Sequence, residues 1–397
     1  MLAWRYLWAR PLAAGLNLAL SGLGVAVMTF LLLVSSQIER ALARDLAGID
    51  LVVGAKGSPM QLMLAGVFHL DAPTGNIPAA TLGQLRSHAM VATAMPMALG
   101  DSIGGFRIVG AEGDYLDWYG ARIAEGRRWR APMEVVLGHS AAQDLALSVG
   151  ATVVGTHGLG AEGQAHAAAP YAVVGRLQRC GCVLDRLVLT AVESVWAVHD
   201  HPESKGKAAD DANAEPHELT LVLVRYKTPL AAAMLPRWVQ AQAGLQAASP
   251  ALETARLFRL LGVGLDVLRG FAVLLLAVST LSVFVALVHA VRERESDLAM
   301  MRMLGAPPSR LAALIALEAL WLAILGLVAG LLLGHALTEV LGRLLARQRS
   351  LALSGFEWTG DELWCIVVPI ALALLAAAMP AWRVKRLEVA RLMQAPH

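Results

Sequence analysis

Four blocks of nearly unbroken apolar residues punctuate the chain, at 12–36, 268–291, 311–337 and 363–382. Each is close to the ~20 residues a helix needs to cross a ~30 Å hydrocarbon core. The stretch between the first two blocks, 37–266, holds most of the charged residues, strand-length runs and turn signals, and is long enough for one or two soluble folding units. The pattern therefore predicts a membrane α-helical protein with four transmembrane helices and an α+β extracytoplasmic domain between the first and second. Inside that domain, 50–57 reads as a strand entering a glycine turn, and 106–110, 171–175, 187–190 and 219–225 read as further strands. A short helix is expected over 140–147, ended by Gly150, and a polar loop over 208–215. Residues 250–267 keep helical periodicity and enter the second span without a breaker, which predicts one long stalk helix.

Composition agrees with concentrated apolar blocks. The 397 residues are 57% hydrophobic and 16% charged, against about 25% charged in soluble domains. Mean hydropathy is +0.56. A net charge of +2 gives no electrostatic reason for nucleic acid to bind. Three cysteines are too few for a disulfide scaffold. The first apolar block is too long for the core of a cleaved signal peptide, so it is read as a retained span. Trp4, Arg5, Trp8 and Arg10 before it fit a short interfacial helix at 1–11.

The basic residues orient the spans. Arg5 and Arg10, then Arg292, Arg294, Arg302 and Arg310, then Arg383, Lys385, Arg386 and Arg391 all fall on one side, which is the cytoplasmic one. Arg343, Arg347 and Arg349 on the other side weaken the bias without reversing it. The expected layout is an interfacial helix at 1–11, spans at 12–36, 268–291, 311–337 and 363–382, and a periplasmic domain at 37–266 with its stalk at 250–267. A cytoplasmic helical connection at 292–310, a short periplasmic loop at 338–362 and a cytoplasmic tail at 383–397 complete it.

The connection at 292–310 carries the most distinctive pattern. It reads as a short amphipathic helix capped by Gly305 and stopped by Pro307 and Pro308. Leu298, Met301, Arg302, Leu304 and Gly305 would form a partly apolar knob, with methionine suited to a surface that repacks on a moving partner. The alternative is a plain loop on the membrane surface. In the third span Gly326, Gly330 and Gly334 recur every fourth residue and share one face, a ridge that lets another helix approach closely. That ridge serves a dimer contact or a seam within one subunit, unless it is only the usual glycine enrichment of membrane helices. Gly22 and Ala26 form a lesser version in the first span. Glu318, in the same span as the ridge, needs a partner in lipid, with Arg302 or Arg310 favoured over a proton-relay role.

Metal and catalytic chemistry are less marked. His157, His166, Cys180, Cys182, His199, Asp200, His201 and His217 are ligand types, and His199, His201, Cys180 and Cys182 form the candidate zinc set. The alternative for the histidines is a solvated loop. The Cys180-Gly181-Cys182 pair is a disulfide, a metal pair, or a neighbour of His157 and His166. Cys365 reads as packing. Ser140, His139 and Asp144 do not reproduce a nucleophile, base and orienter, and no His-Glu-x-x-His occurs. No Gly-x-x-x-x-Gly-Lys-Ser/Thr phosphate loop occurs in the 397 residues.

The run from Glu293 and Glu295 to Met303-Leu304-Gly305-Ala306, the following span with an early Glu318 and later glycines, and the ending at 379–392 together resemble the MacB/FtsX/LolC-type permease family. The order of one span, a large outer domain and three spans is similar too. The resemblance implies that Glu293, Glu295, Leu298, Met301, Arg302, Leu304 and Gly305 form a coupling helix that docks on an ABC ATPase subunit. It implies two ATPase copies that carry ATP and Mg²⁺, a second permease copy or paralogue, and no cofactor or enzymatic step in this chain. It further implies a bacterial inner-membrane setting, contact with membrane lipid, and a periplasmic or membrane-anchored substrate such as a peptide, lipoprotein or small molecule. Two other functions remain open at this point: an FtsX-like transmitter that activates an envelope enzyme, and a zinc-related transport system.

Overall fold

The computed structural model describes residues 11–46, 48–156, 169–199, 217–347 and 353–385. The chain divides into two compact units, one of 1–38 with 260–397 and one of 39–259.

The first unit contains the four expected spans, with apolar windows of mean hydropathy 2.3, 2.7, 2.4 and 2.3. They lie in α1 (Pro11–Leu46), α8 (Pro250–Glu293), α10 (Pro308–Arg347) and α11 (Glu362–Lys385). α8 runs unbroken from Pro250 into the second span, the continuity that the periodicity over 250–267 predicts. Two boundaries move. α1 continues past 36 to Leu46, and α10 continues past 337 to Arg347, which shortens the expected 338–362 loop. Hydropathy marks where a helix leaves lipid, not where its backbone hydrogen bonds end.

No local sequence signal marks the polar corner between α10 and α11. Gln37 exchanges two hydrogen bonds of 2.8 Å with the backbone of Ser354. His335 Nδ1 lies 2.7 Å from the Gly355 carbonyl; a carbonyl only accepts, so this nitrogen carries the proton. Its Nε2 is 3.1 Å from Glu362, whose other oxygen accepts from the Thr359 amide at 2.7 Å. Glu339 accepts from the Gly355 amide at 3.1 Å. These bonds satisfy backbone groups of the 353–361 turn that would otherwise be orphaned beside apolar helices.

The second unit is a mixed ten-stranded sheet with helices packed on it. In chain order its elements are β1 (Leu51–Ala55), α2 (Pro59–Gly66), β2 (Ile77–Pro78), α3 (Ala80–Ser87), β3 (Val91–Ile103), β4 (Phe106–Ala111), α4 (Tyr115–Trp118) and β5 (Ile123–Gly126). There follow β6 (Glu134–Leu137), α5 (His139–Asp144), β7 (Thr152–Val153), β8 (Tyr171–Leu177), a 3₁₀ turn (Val183–Arg186), β9 (Val188–Thr190) and α6 (Val192–His199). β10 (Glu218–Leu219), β11 (Leu221–Tyr226), α7 (Ala231–Gln240) and β12 (Leu245–Ala248) close the unit. The sheet order is β12-β1-β11-β3-β4-β9-β6-β8-β5, with β7 on β8. Pairs β4–β9 and β6–β8 are parallel and the other sheet pairs antiparallel.

Strand side chains alternate between two cores. Val52, Leu221, Leu223, Met95 and Met97 enter one, and Leu51, Val53, Val222, Val224 and Ala94 enter the other. Burial on both faces explains why β1 and β11 read as continuous apolar runs. A third core joins Ile108, Val135, Leu137, Val173 and Val188 to Ala141 and Ala142 of α5.

Two expectations within this unit need correction, and one strand was not foreseen. The strand expected over 219–225 is two strands. Leu219 pairs with Ile77 in a separate two-stranded sheet, and β11 begins at Leu221. Thr220 breaks the run because its amide bonds Met97 O at 2.9 Å and its hydroxyl takes the Leu99 amide at 2.9 Å. The helix expected over 140–147 is His139–Asp144; it stops early because Ala146 adopts φ 52°, outside the helical region. The unexpected β3 holds Pro96 inside a central strand. Pro96 pairs with Val222 on one side, and pairing with β4 starts only at Met97, so the missing amide hydrogen breaks no ladder bond on the second side.

His69 is a buried oddity in this unit. It has φ 54°, and neither ring nitrogen has a hydrogen-bond partner among the described residues. Burial, with Arg107 and Arg186 nearby, lowers its pKa from 6.5 to about 3. The folded imidazole stays neutral where an unfolded one takes a proton, so the unfolded chain binds more protons between those two values. His69 therefore adds no pH-dependent cost above pH 6.5 and destabilises the fold progressively as pH falls toward 3, with a slope of at most about 1.4 kcal/mol per pH unit. Asparagine tolerates positive φ, so His69→Asn is expected to flatten this dependence. Unfolding midpoints of both proteins at pH 5 and pH 7.5 check it, and equal slopes would refute it.

Candidate coupling site

The site is built where α8 ends. Helical hydrogen bonding continues across Arg294, whose amide bonds Ala290 O at 3.3 Å and whose carbonyl accepts from the Leu298 amide at 2.9 Å. Arg294 itself leaves helical geometry, with φ −104° and ψ 16°, and α9 (Glu295–Met303) starts just after it. Glu295 and Asp297 sit in the first turn of α9, where the helix dipole favours negative charge, and Arg302 sits in the last. The end of α9 is a Schellman motif. Ala306 N–H bonds Met301 O and Gly305 N–H bonds Arg302 O, both at 3.0 Å, with Gly305 at φ 93°. Pro307 follows, and Pro308 opens α10. The expected glycine cap and proline stop are both present.

Glu318 is paired, but with a different residue from those expected. Arg294 Nη1 stands 3.0 Å from Glu318 Oε1, so the salt bridge comes from the α8–α9 break and not from Arg302 or Arg310. Arg294 precedes α9 and meets the third span at Glu318, while Arg302 lies about two helical turns further along the chain. This ion pair and the apolar contacts of Leu298 fix α9 to the helices behind it. Leu298 is 4% exposed and packs with Leu287, Leu311 and Ile315, and Met301 packs against the same cluster.

The expected knob therefore mixes two faces of one helix. At about 100° per residue, 301 and 302 fall beside 298, whereas 300, 303 and 304 fall opposite. Met300 and Met303 are each 55% exposed and Leu304 is 83% exposed. Leu298 and Met301 are anchors, and the apolar surface offered outward is Met300, Met303 and Leu304. The sequence reading missed Met300 and Met303; helical periodicity counted from one buried leucine would have found them. Gly305 shapes the turn, and Glu293 ends α8.

The glycine ridge is a seam inside the subunit. A Cβ on Gly326 would overlap Ser21 Oγ. One on Gly330 would stand 2.6 Å from Val25 Cβ and 2.7 Å from Gly22 O, and one on Gly334 2.9 Å from Thr29 Cβ and 3.0 Å from Ala26 O. Gly22 and Ala26 of the first span are thus the facing half of the same seam.

The candidate metal set is not assembled among the described residues, where no group of three His, Cys, Asp or Glu is placed to hold an ion. Cys180 and Cys182 are joined in a disulfide, so neither is a thiolate ligand in this form. His199 ends α6, with its side chain outside the described set, and His157, His166, Asp200 and His201 also lie outside the described residues, as do the 1–11 helix up to residue 10 and the 208–215 loop. His217 stacks on Trp196, with ring centroids 4.3 Å apart.

Residues 269–389 match the family described as FtsX-like permease C-terminal. That segment holds the second, third and fourth spans, α9 and the glycine ridge. No curated protein matches the chain. Among solved structures, the chain is similar to the periplasmic region of MacB from Actinobacillus actinomycetemcomitans, at 11% identity over 54% of this chain and 94% of that one, with a TM-score of 0.36. It is also similar to the extracellular domain of the noncanonic ABC-type transporter YknZ from Gram-positive bacteria, at 12% identity over 50% of this chain and 99% of that one, with a TM-score of 0.31.

Proposed function

We infer, for a chain whose residues 269–389 match the FtsX-like permease family, that α9 is the surface on which a separate ATPase delivers its work. The observation that carries this reading is the division of α9 into an anchored face, held by Leu298 beside the Arg294–Glu318 pair, and an outward apolar face of Met300, Met303 and Leu304. An exposed apolar cluster on a helix fixed from behind suits a partner that pushes. Closure of an ATPase pair on ATP would displace α9, and the Arg294 break would pass that displacement to α8. Forty-four residues of α8 correspond to about 66 Å of helix at 1.5 Å per residue, about twice the thickness of a hydrocarbon core.

In this mechanism the chain is the permease subunit of an ABC system in the bacterial inner membrane. It works with a second copy or a paralogue, with two ATPase subunits that supply the nucleotide chemistry, and with a periplasmic or membrane-anchored substrate such as a peptide, lipoprotein or small molecule. Outer residues 39–259 would act on that substrate, and work would cross the membrane without cargo passing between the spans. A photocrosslinking residue at Met303, in cells that make the native partners, is expected to capture a nucleotide-binding subunit. Capture of proteins from the outer compartment instead would overturn both the orientation and the role of α9.

A further inference from the structure

Cys180 and Cys182 are bonded with their Cα atoms 5.2 Å apart and one residue between them. A cross-link that closes so short a loop takes little freedom from the unfolded chain, so stapling the fold does not account for it. Its surroundings suit chemistry better. Both cysteines are half-buried, between β8 and the 3₁₀ turn. Asp185, itself buried, accepts from the Cys180 amide at 3.0 Å and the Gly181 amide at 2.8 Å, which pins the loop while both cysteines pack partly against the first core. The Cys182 amide donates to Cys180 Sγ at 3.2 Å. Arg44 lies over Gly181, close enough that a Cβ there would stand 2.9 Å from Nη1. One sulfur thus has a donor in place, and a cation stands beside the loop.

We propose that Cys180–Cys182 is a thiol–disulfide exchange site whose substrate is an external thiol. The incoming thiolate, drawn by Arg44, attacks Cys182 Sγ. The bond between the two sulfurs breaks, and its electron pair leaves on Cys180 Sγ, toward which the Cys182 amide already points. A second thiolate of the donor attacks the donor's sulfur in the mixed disulfide and releases Cys182. The donor is oxidised by two electrons to its disulfide, and the two protons of its thiols end on Cys180 and Cys182. Asp185 Oδ1, 3.3 Å from Cys180 Sγ, accepts the hydrogen bond of the thiol so formed. The next residue, Val183, donates its amide to Asp45 Oδ1 in the last turn of α1 at 2.7 Å, and Tyr119 donates its hydroxyl to the Asp45 carbonyl at 2.9 Å. The exchange loop is therefore part of the clasp that holds that turn, and opening the bond loosens it.

The test uses the full chain in lipid nanodiscs, equilibrated with glutathione buffers of graded ratio and, separately, with a reduced Cys-x-x-Cys oxidoreductase. Thiol state is read by alkylation and intact mass. Cys180 and Cys182 are expected to pass from oxidised to reduced within the range that one of these donors covers, with the fold intact. Reduction by both identifies small thiols as sufficient donors, and reduction by the oxidoreductase alone identifies a protein dithiol. In acid-quenched samples glutathione, or the oxidoreductase if it alone reacts, is expected on Cys182; its presence on Cys180 instead would overturn Cys180 as the leaving sulfur. A bond that stays oxidised with both donors, or opens only when the protein unfolds, would overturn the site.

Discussion

Leucine at position 330 is expected to leave almost none of the membrane unit folded. A single Cβ there already stands 2.6 Å from Val25 Cβ and 2.7 Å from the carbonyl oxygen of Gly22. The second contact is backbone, so no change of rotamer relieves it. The clash can be relieved only by moving α1 away from α10, which would also undo the contacts at Gly326 and Gly334. One surplus methylene in a packed core costs about 1–3 kcal/mol, and leucine adds four carbons where glycine has none. The expected loss exceeds about 3 kcal/mol, more than a hundredfold in the folding equilibrium. Recovery of monodisperse protein in mild detergent measures it. Gly270→Ala is the control, because a Cβ at that position meets nothing within 4 Å. Wild-type recovery and melting of the Gly330→Leu protein would show that the seam is not what holds α1 to α10.

Aspartate at Met300, Met303 or Leu304 is expected to act differently, leaving the chain inserted and folded while breaking the ATPase contact proposed for α9. These side chains are 55%, 55% and 83% exposed, so the isolated chain loses little by the change. In a complex, each would place an unpaired carboxylate in a desolvated apolar contact, a loss of several kcal/mol at a central position. ATP hydrolysis stimulated by the permease should fall at least about tenfold, with unchanged membrane yield. Leu298→Asp is expected to lower yield instead, since Leu298 is 4% exposed. Normal stimulation in the Leu304→Asp protein would remove α9 as the contact surface.

How much of this was legible in the sequence depended on how local the cause was. The four spans and the unbroken Pro250–Glu293 helix follow from runs of neighbouring residues, and they appear as expected. The Gly305 turn was legible because a left-handed cap before two prolines is a local signal. The ridge at Gly326, Gly330 and Gly334 was visible, but its occupant was not, because which helix fills a groove is decided by residues three hundred positions away. Glu318 announced a partner, and the choice of Arg294 over Arg302 or Arg310 depended on the path of the α8–α9 break. β3 was missed because methionines, Pro96 and Gly100 hide a strand whose buried setting overrides its propensity. The His335–Glu362 corner was missed because its members come from three helices and a turn.

All three cysteines of the chain are accounted for, two in a bond and one, Cys365, buried within the fourth span. An intact, unreduced molecule should therefore take up almost no maleimide. A cysteine introduced anywhere on the surface would then report its compartment against a dark background, with no native residue removed first.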